Sequence, residues 1–349
     1  MGLSDGKKLK INKRYTSLDG IRAYAAIGIV LMHVLANISV KPSENYLTQT
    51  LIPFFTDFTL LFMAVSAFSM CCGYYEKIRN SDITPDSFYK KIYIRILPYF
   101  ALLCLLDFLV APDLETFYQL YANLTLCFGL LPEHNITVIG VGWFLGIVFL
   151  FYLLFPFFVF MLDNKKRAWI SFLITVSFVL IIMNANFITG NFSRTNFIFC
   201  APYFLSGGLI YLYRDVIVKS IERYHYLWLL FIIFITVCYF VFRSSFSGFG
   251  YFAELILFSL WLVYAIGSHT KFLSNKILKY LSNISMEIYL AHMVIFRIVE
   301  KFHLENCIHQ NDILYVLTAL LTLCGVICFA HIVKFYILNK IMDRFVVKK

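Results

Sequence analysis

The chain has 349 residues, 60% of them hydrophobic and only 14% charged, with 30 Lys and Arg against 20 Asp and Glu for a net charge of +10. That balance excludes an ordinary soluble domain, and apolar runs of about 17 to 25 residues recurring along the chain read as a polytopic α-helical membrane protein. The positive charge does not read as nucleic-acid binding, because 24 of the 30 Lys and Arg fall in the stretches 7–14, 77–95, 165–167, 214–223, 271–279 and 334–349. In an arrangement of about ten transmembrane helices those stretches share one side, so the positive-inside rule places both termini in the cytoplasm, against anionic headgroups.

Taken in order, residues 1–19 form a basic cytoplasmic arm, 20–338 the helix bundle and 339–349 a cytoplasmic tail, all one domain over 1–349. The first membrane helix, about 21–40, carries Arg22 at its start and His33 well inside. Eleven residues at 100° each bring the two side chains within about 20° of one another, roughly 16 Å apart along the axis. A cation and a titratable ring on one face are costly in hydrocarbon and point to function rather than packing. Helix 2, about 48–75, carries Asp57. The segment 76–95 reads as a loop holding Lys77, Arg79, Lys90, Lys91 and Arg95. It serves either topology or, with its basic side chains at a helix mouth, the docking of phosphates.

Helix 3 covers about 96–110 and contains Asp107. Residues 112–137 contain Asp113, Glu115 and Glu133 but no Lys or Arg, as an outer loop would, with an interfacial or re-entrant helix at 117–131. Helix 4 begins near 141 and includes Trp143. Helices 5 to 8 follow at about 168–187, 197–213, 227–242 and 250–267. Arg194 and Arg243 fall near the outer mouths, with Glu254 one turn inside helix 8 as a candidate partner for one of them. A basic inner loop at 268–283 precedes helix 9, about 284–300, which carries Glu287 and His292. These lie about 140° apart on the helix and so face different neighbours. Helix 10, about 313–338, carries His331. Neither a phosphate-binding glycine loop nor metal-ligand spacing of Cys and His is present.

The stretch SLDGIRAYAAIGIVLMH, an Arg and a His separated by ten residues after Leu-Asp-Gly, resembles the opening signature of the membrane-bound acyltransferase-3 family. YKKIYIRILP is similar to that family's basic segment before its third helix, and SMEIYLAH to its late Ser-x-x-x-Tyr-Leu-x-His. Two departures stand out: Ser66-Ala67-Phe68 where the family often has Ser-Gly-Phe, and Val148-Phe149 where a glutamate often lies. The resemblance implies an O-acyltransferase in a bacterial plasma membrane that takes acyl groups from coenzyme A, acetyl-CoA above all. Its acceptor would be a hydroxyl of a cell-surface or lipid-linked polysaccharide.

On that reading His33, Arg22 and His292 are the catalytic candidates, Arg22, Arg95 and Lys91 hold the donor, and Trp143 and Glu254 meet the acceptor. His33 is the base, and a relay through an acylated His33 stays open beside direct attack. No metal is called for. The expected partners are acyl-CoA, the carbohydrate and membrane lipid, without nucleic acid; a homo-oligomer is left open. The alternative is a proton-coupled transporter or flippase of lipid-linked glycans working through His33, Glu254 and Asp107.

Overall fold

A computed structural model describes residues 14–110, 112–130, 140–189, 196–246 and 249–338. Most of the expected arm, the tail 339–349, Glu133 and Arg194 lie outside the described residues. Within them the chain is helical, and no β-strand forms.

The helices are α1 (Ser17–Asn37), α2 (Leu47–Arg79), α3 (Pro85–Val110), α4 (Leu114–Leu124), α5 (Trp143–Leu153), α6 (Phe155–Leu162) and α7 (Lys165–Thr189). They continue with α8 (Phe197–Arg223), α9 (His225–Phe242), α10 (Gly250–Gly267), α11 (Lys276–Asn283), α12 (Ser285–Glu300) and α13 (Asn311–His331), the last running on as π-helix Ile332–Leu338. Seven described helices are long and apolar enough to cross a membrane: α1, α2, α3, α7, α9, α10 and α13; the bent pair α5–α6 makes an eighth if it is counted as one span. The sequence reading of about ten needs α8 and α12 as well. Charged residues Arg214, Asp215, Lys219, Glu222 and Arg223 crowd the second half of α8, and α12 has only 16 residues, against the roughly 20 of an upright crossing.

Several segments differ from the sequence reading: α11 (Lys276–Asn283) forms inside the expected loop 268–283, α8 runs on past 213 to Arg223, and two further differences each trace to a proline. Of the stretch 76–95 only 80–84 is a loop: α2 runs to Arg79 and α3 begins at Pro85, a residue suited to a first helical turn, behind Thr84, whose hydroxyl accepts the Ser87 amide at 3.3 Å. Lys90, Lys91 and Arg95 therefore ride on a helix, with Lys91 and Arg95 one turn apart. The helix expected from 141 onward is broken at Leu154 and turns by 59°. Pro156, with no amide hydrogen and a ring that crowds the preceding turn, is the cause. The Leu153 carbonyl beside the break accepts the Tyr89 hydroxyl at 2.8 Å instead.

Helix α1 is central. It packs against α2, α10, α11, α12 and α13, and 72% of its apolar stretch is buried within the protein, compared with 11% for α7 and α9, which present theirs outward. Helices α2 and α8 press together backbone to backbone at Gly207, where a Cβ would stand 2.2 Å from the Ala64 carbonyl oxygen. Helix α4 is the helix expected within 117–131, shifted a few residues earlier. Asp113 caps it, accepting the Thr116 hydroxyl at 2.5 Å and amide at 2.7 Å, which holds the carboxyl below the ordinary aspartate range. Its Leu114, Phe117, Tyr118 and Tyr121 are exposed.

Candidate functional site

The Leu-Asp-Gly ahead of Arg22 is a clasp. Asp19 is buried, accepts the Ser282 hydroxyl at 3.0 Å and pairs with Arg14 at 3.0 Å. Ser17 donates to the Ser268 carbonyl at 2.5 Å. A Cβ on Gly20 would stand 2.4 Å from the Leu273 carbonyl oxygen, so only glycine lets the segment before α11 come so close. This end of α1 is thereby fixed against residues 268–282, and Arg22 leaves it in a set direction.

Arg22, half-buried, donates to the Ser69 hydroxyl of α2, which in turn donates to the Val65 carbonyl at 2.6 Å. Its electrostatic neighbours include Arg95 of α3, Tyr152 of α5 and Cys72 of α2. The two arginines expected to hold the donor thus act on one another electrostatically, Arg95 from an exposed position on α3. Lys91 is exposed one turn back on α3 and makes no described ion pair or hydrogen bond with Arg22.

Three turns along α1, the half-buried His33 ring meets His292 of α12, with centroids 4.9 Å apart and planes tilted by 43°. His292 is fully buried. Its Nδ1 lies 2.6 Å from the Tyr289 carbonyl oxygen, which only accepts, so the neutral ring carries its hydrogen on Nδ1 and a lone pair on Nε2. Among the described residues that buried Nε2 has no hydrogen-bond partner. Tyr289 is itself held by a hydrogen bond to the Val141 carbonyl at 3.0 Å. An aromatic row leads outward from the pair: Tyr289 to Phe144 at 4.9 Å, then Phe144 to Trp143 at 6.2 Å. Trp143 therefore stands at the end of the row, two rings away from His292.

Glu287 faces away from the pair, as its helical offset requires, and pairs with Lys334 of the π-helical end of α13 at 2.8 Å. Glu254 accepts the Tyr239 hydroxyl at 2.8 Å. Arg243 turns to Asp57 of α2 at 3.8 Å, donates to the Thr50 carbonyl at 3.0 Å and lies over the Phe54 ring. The structure thus gathers Arg22 with Arg95, and His33 with His292, and sets Glu254 in a separate polar cluster. Sequence reasoning missed Ser69 and Tyr289. Ser69 follows the Ser66-Ala67-Phe68 triplet by one residue, and Tyr289 lies inside SMEIYLAH, so each had a pointer in the motif beside it. No group of three or more His, Cys, Asp or Glu suited to a metal occurs among the described residues.

The sequence profile of the acyltransferase-3 family, an acyltransferase domain, matches residues 15–334, and the chain belongs to that family. It is also similar to "Protein 2 in picA locus" from Rhizobium radiobacter, 32% identical over 90 residues. That match covers 26% of this chain and 42% of the relative, so the chain spans less than half of that protein. No solved structure matches.

Proposed function

We propose that this chain, one domain over 1–349, is a membrane O-acyltransferase. It moves an acetyl group from cytoplasmic acetyl-coenzyme A to a hydroxyl of a cell-surface or lipid-linked polysaccharide sugar, in a bacterial plasma membrane. The seven apolar helices, the bent α5–α6 pair, α8 and α12 make ten crossings; an even number returns the chain to its starting side. The clustered Lys and Arg mark that side as the cytoplasm.

The observation that carries the reading is the meeting of His33 and His292 on the face that also holds Arg22. Acyl transfer to a hydroxyl needs a base for the proton and a held thioester. His33, the more exposed ring, takes the proton of the acceptor hydroxyl. The hydroxyl oxygen bonds to the thioester carbon, the carbon–sulfur bond breaks, and the sulfur leaves as a thiolate that recovers the proton from His33. His292 positions the base: a small ring rotation lets its Nε2 accept a hydrogen from His33, leaving the other His33 nitrogen a lone pair for the acceptor. Hydrogen bonds of this kind commonly tighten only with substrate bound. Arg22 and Arg95 hold donor phosphates, Lys91 steers them in from the exposed side of α3, and Trp143 and Glu254 serve the acceptor from the outer half.

Transfer of labelled acetyl from acetyl-coenzyme A to surface polysaccharide tests this, in membranes holding equal amounts of wild type, His33→Ala or His292→Ala. Wild type should transfer label, and each variant should fall by about a hundredfold or more. Normal transfer by His33→Ala removes the catalytic assignment. If wild type moves no label but carries lipid-linked glycan across the membrane, transport replaces acyl transfer. One bent element speaks less for that outcome than the corresponding pair of broken helices on which such transporters build their sites.

A further inference from the structure

The turn of α2 that binds Arg22 also touches α8. Phe68 packs against Tyr211 of α8 with ring centroids 6.2 Å apart, and Tyr211 packs on Tyr75 of α2 at 5.2 Å. Over that same Tyr211 lies the half-buried Arg214, its guanidinium carbon 3.9 Å from the ring centroid and its Nη1 donating to the Tyr211 carbonyl at 2.7 Å. The half-buried Cys72 of α2 lies within electrostatic reach of both Arg22 and Arg214. Arg95 joins Arg22 from α3. Arg22 and Arg214 therefore both neighbour α2 around residues 69–75, and the exposed Arg95 of α3 neighbours Arg22.

The turn of α2 that follows Ser69 departs from regular geometry. Cys71–Tyr75 is a π-helix, a form that recurs at functional sites. Beside its Gly73 the space is open: an added Cβ would meet nothing within 4 Å. Among the described residues none of the three arginines forms an ion pair with a carboxylate. Asp19, the acid among Arg22's electrostatic neighbours, is already held by Arg14 and Ser282, and Asp215, next to Arg214, is exposed. Three like charges left without a counter-ion make a site for a multiply charged anion, and planar guanidiniums suit phosphate oxygens above all.

We propose that Arg214 completes this anion site with Arg22 and Arg95, and that it selects a donor carrying nucleotide phosphates over a bare pantetheine thioester. The proposal rests on the acyl-coenzyme A reading above. It gives Arg214 a part beyond the positive-inside role that its place in the basic second half of α8 suggests.

Purified protein is titrated with coenzyme A, pantetheine and inorganic pyrophosphate, as wild type, Arg214→Gln and Arg214→Lys. Arg214→Gln should weaken coenzyme A roughly tenfold, the loss of one charge-assisted hydrogen bond, and leave pantetheine unchanged, with Arg214→Lys in between. In the transfer assay KM for acetyl-coenzyme A rises by the same factor and kcat holds. An unchanged coenzyme A affinity in Arg214→Gln overturns the proposal, and so does an equal loss for pantetheine. Wild type that binds pyrophosphate in an Arg214-dependent way but ignores coenzyme A keeps the anion site and removes the acyl-donor reading. Wild type that binds neither removes both.

Discussion

Two polar clusters sit at opposite ends of α2, and they are built on opposite principles. At the Leu47 end, Asp57 faces Arg243 and Glu254 takes a hydrogen bond from Tyr239, so cation and carboxylates are met within the protein. At the Arg79 end, Arg22, Arg95 and Arg214 gather with no carboxylate paired to any of them among the described residues. The first cluster answers its own charge. The second leaves the half-buried Arg22 and Arg214, and an exposed Arg95, to be answered by water, headgroups or a bound anion.

Substitutions in the two clusters should therefore move different readouts. The largest effect is expected from Asp57→Asn, which leaves Arg243 without its carboxylate beside a side chain only 4% exposed. Stability should fall by about 3 kcal/mol, as for breaking a buried ion pair, while donor KM stays put. Heat denaturation in detergent together with donor kinetics would show it, and a rise in donor KM would break the comparison. Next comes Arg22→Gln, expected to raise donor KM about tenfold by loss of a charge-assisted contact, with the thermal midpoint held or raised because a like-charge neighbour of Arg95 is gone. A large drop in the midpoint would make Arg22 a structural residue like Arg243. Tyr239→Phe removes one hydrogen bond to Glu254 and should cost about 1 kcal/mol without touching the donor.

The smallest effect belongs to neither cluster and serves as a control. The Asp113 carboxyl is held below its ordinary range chiefly by the Thr116 hydroxyl. A depressed carboxylate stabilises above its unfolded-state pKa, and that contribution disappears as pH falls through the folded value. Asp113→Ala should thus loosen α4 slightly near neutral pH and cease to differ from wild type in acid. Amide exchange along 114–124 at two pH values would check this.

Much of this was legible in the chain because α1 carries a regular period: an Arg and a His eleven residues apart must share a face of any helix. The same arithmetic kept Glu287 away from His292. What escaped was decided across helices. Nothing local says that Arg214, in the second half of α8, will stand beside the stretch of α2 that binds Arg22, or that Arg243 will choose Asp57. The helical start at Pro85 and the break at Leu154 also escaped, although Pro85 and Pro156 announce both. Each lies inside a run whose charge or apolarity was the louder signal.

The 59° turn at Leu154 bears on the lipid as well as on the protein. As one crossing of the bundle, α5 and α6 offer 11 and 8 residues. With α5 along the membrane normal, the two limbs together rise only roughly 23 Å at 1.5 Å per residue. The hydrocarbon layer is about 30 Å thick, and a span that falls short draws the leaflet toward it or lets headgroups and water dip inward. Beside the 25-residue α7 no such mismatch exists. The bilayer should therefore be thinner where the exposed Phe157 and Phe160 of α6 meet lipid than beside α7.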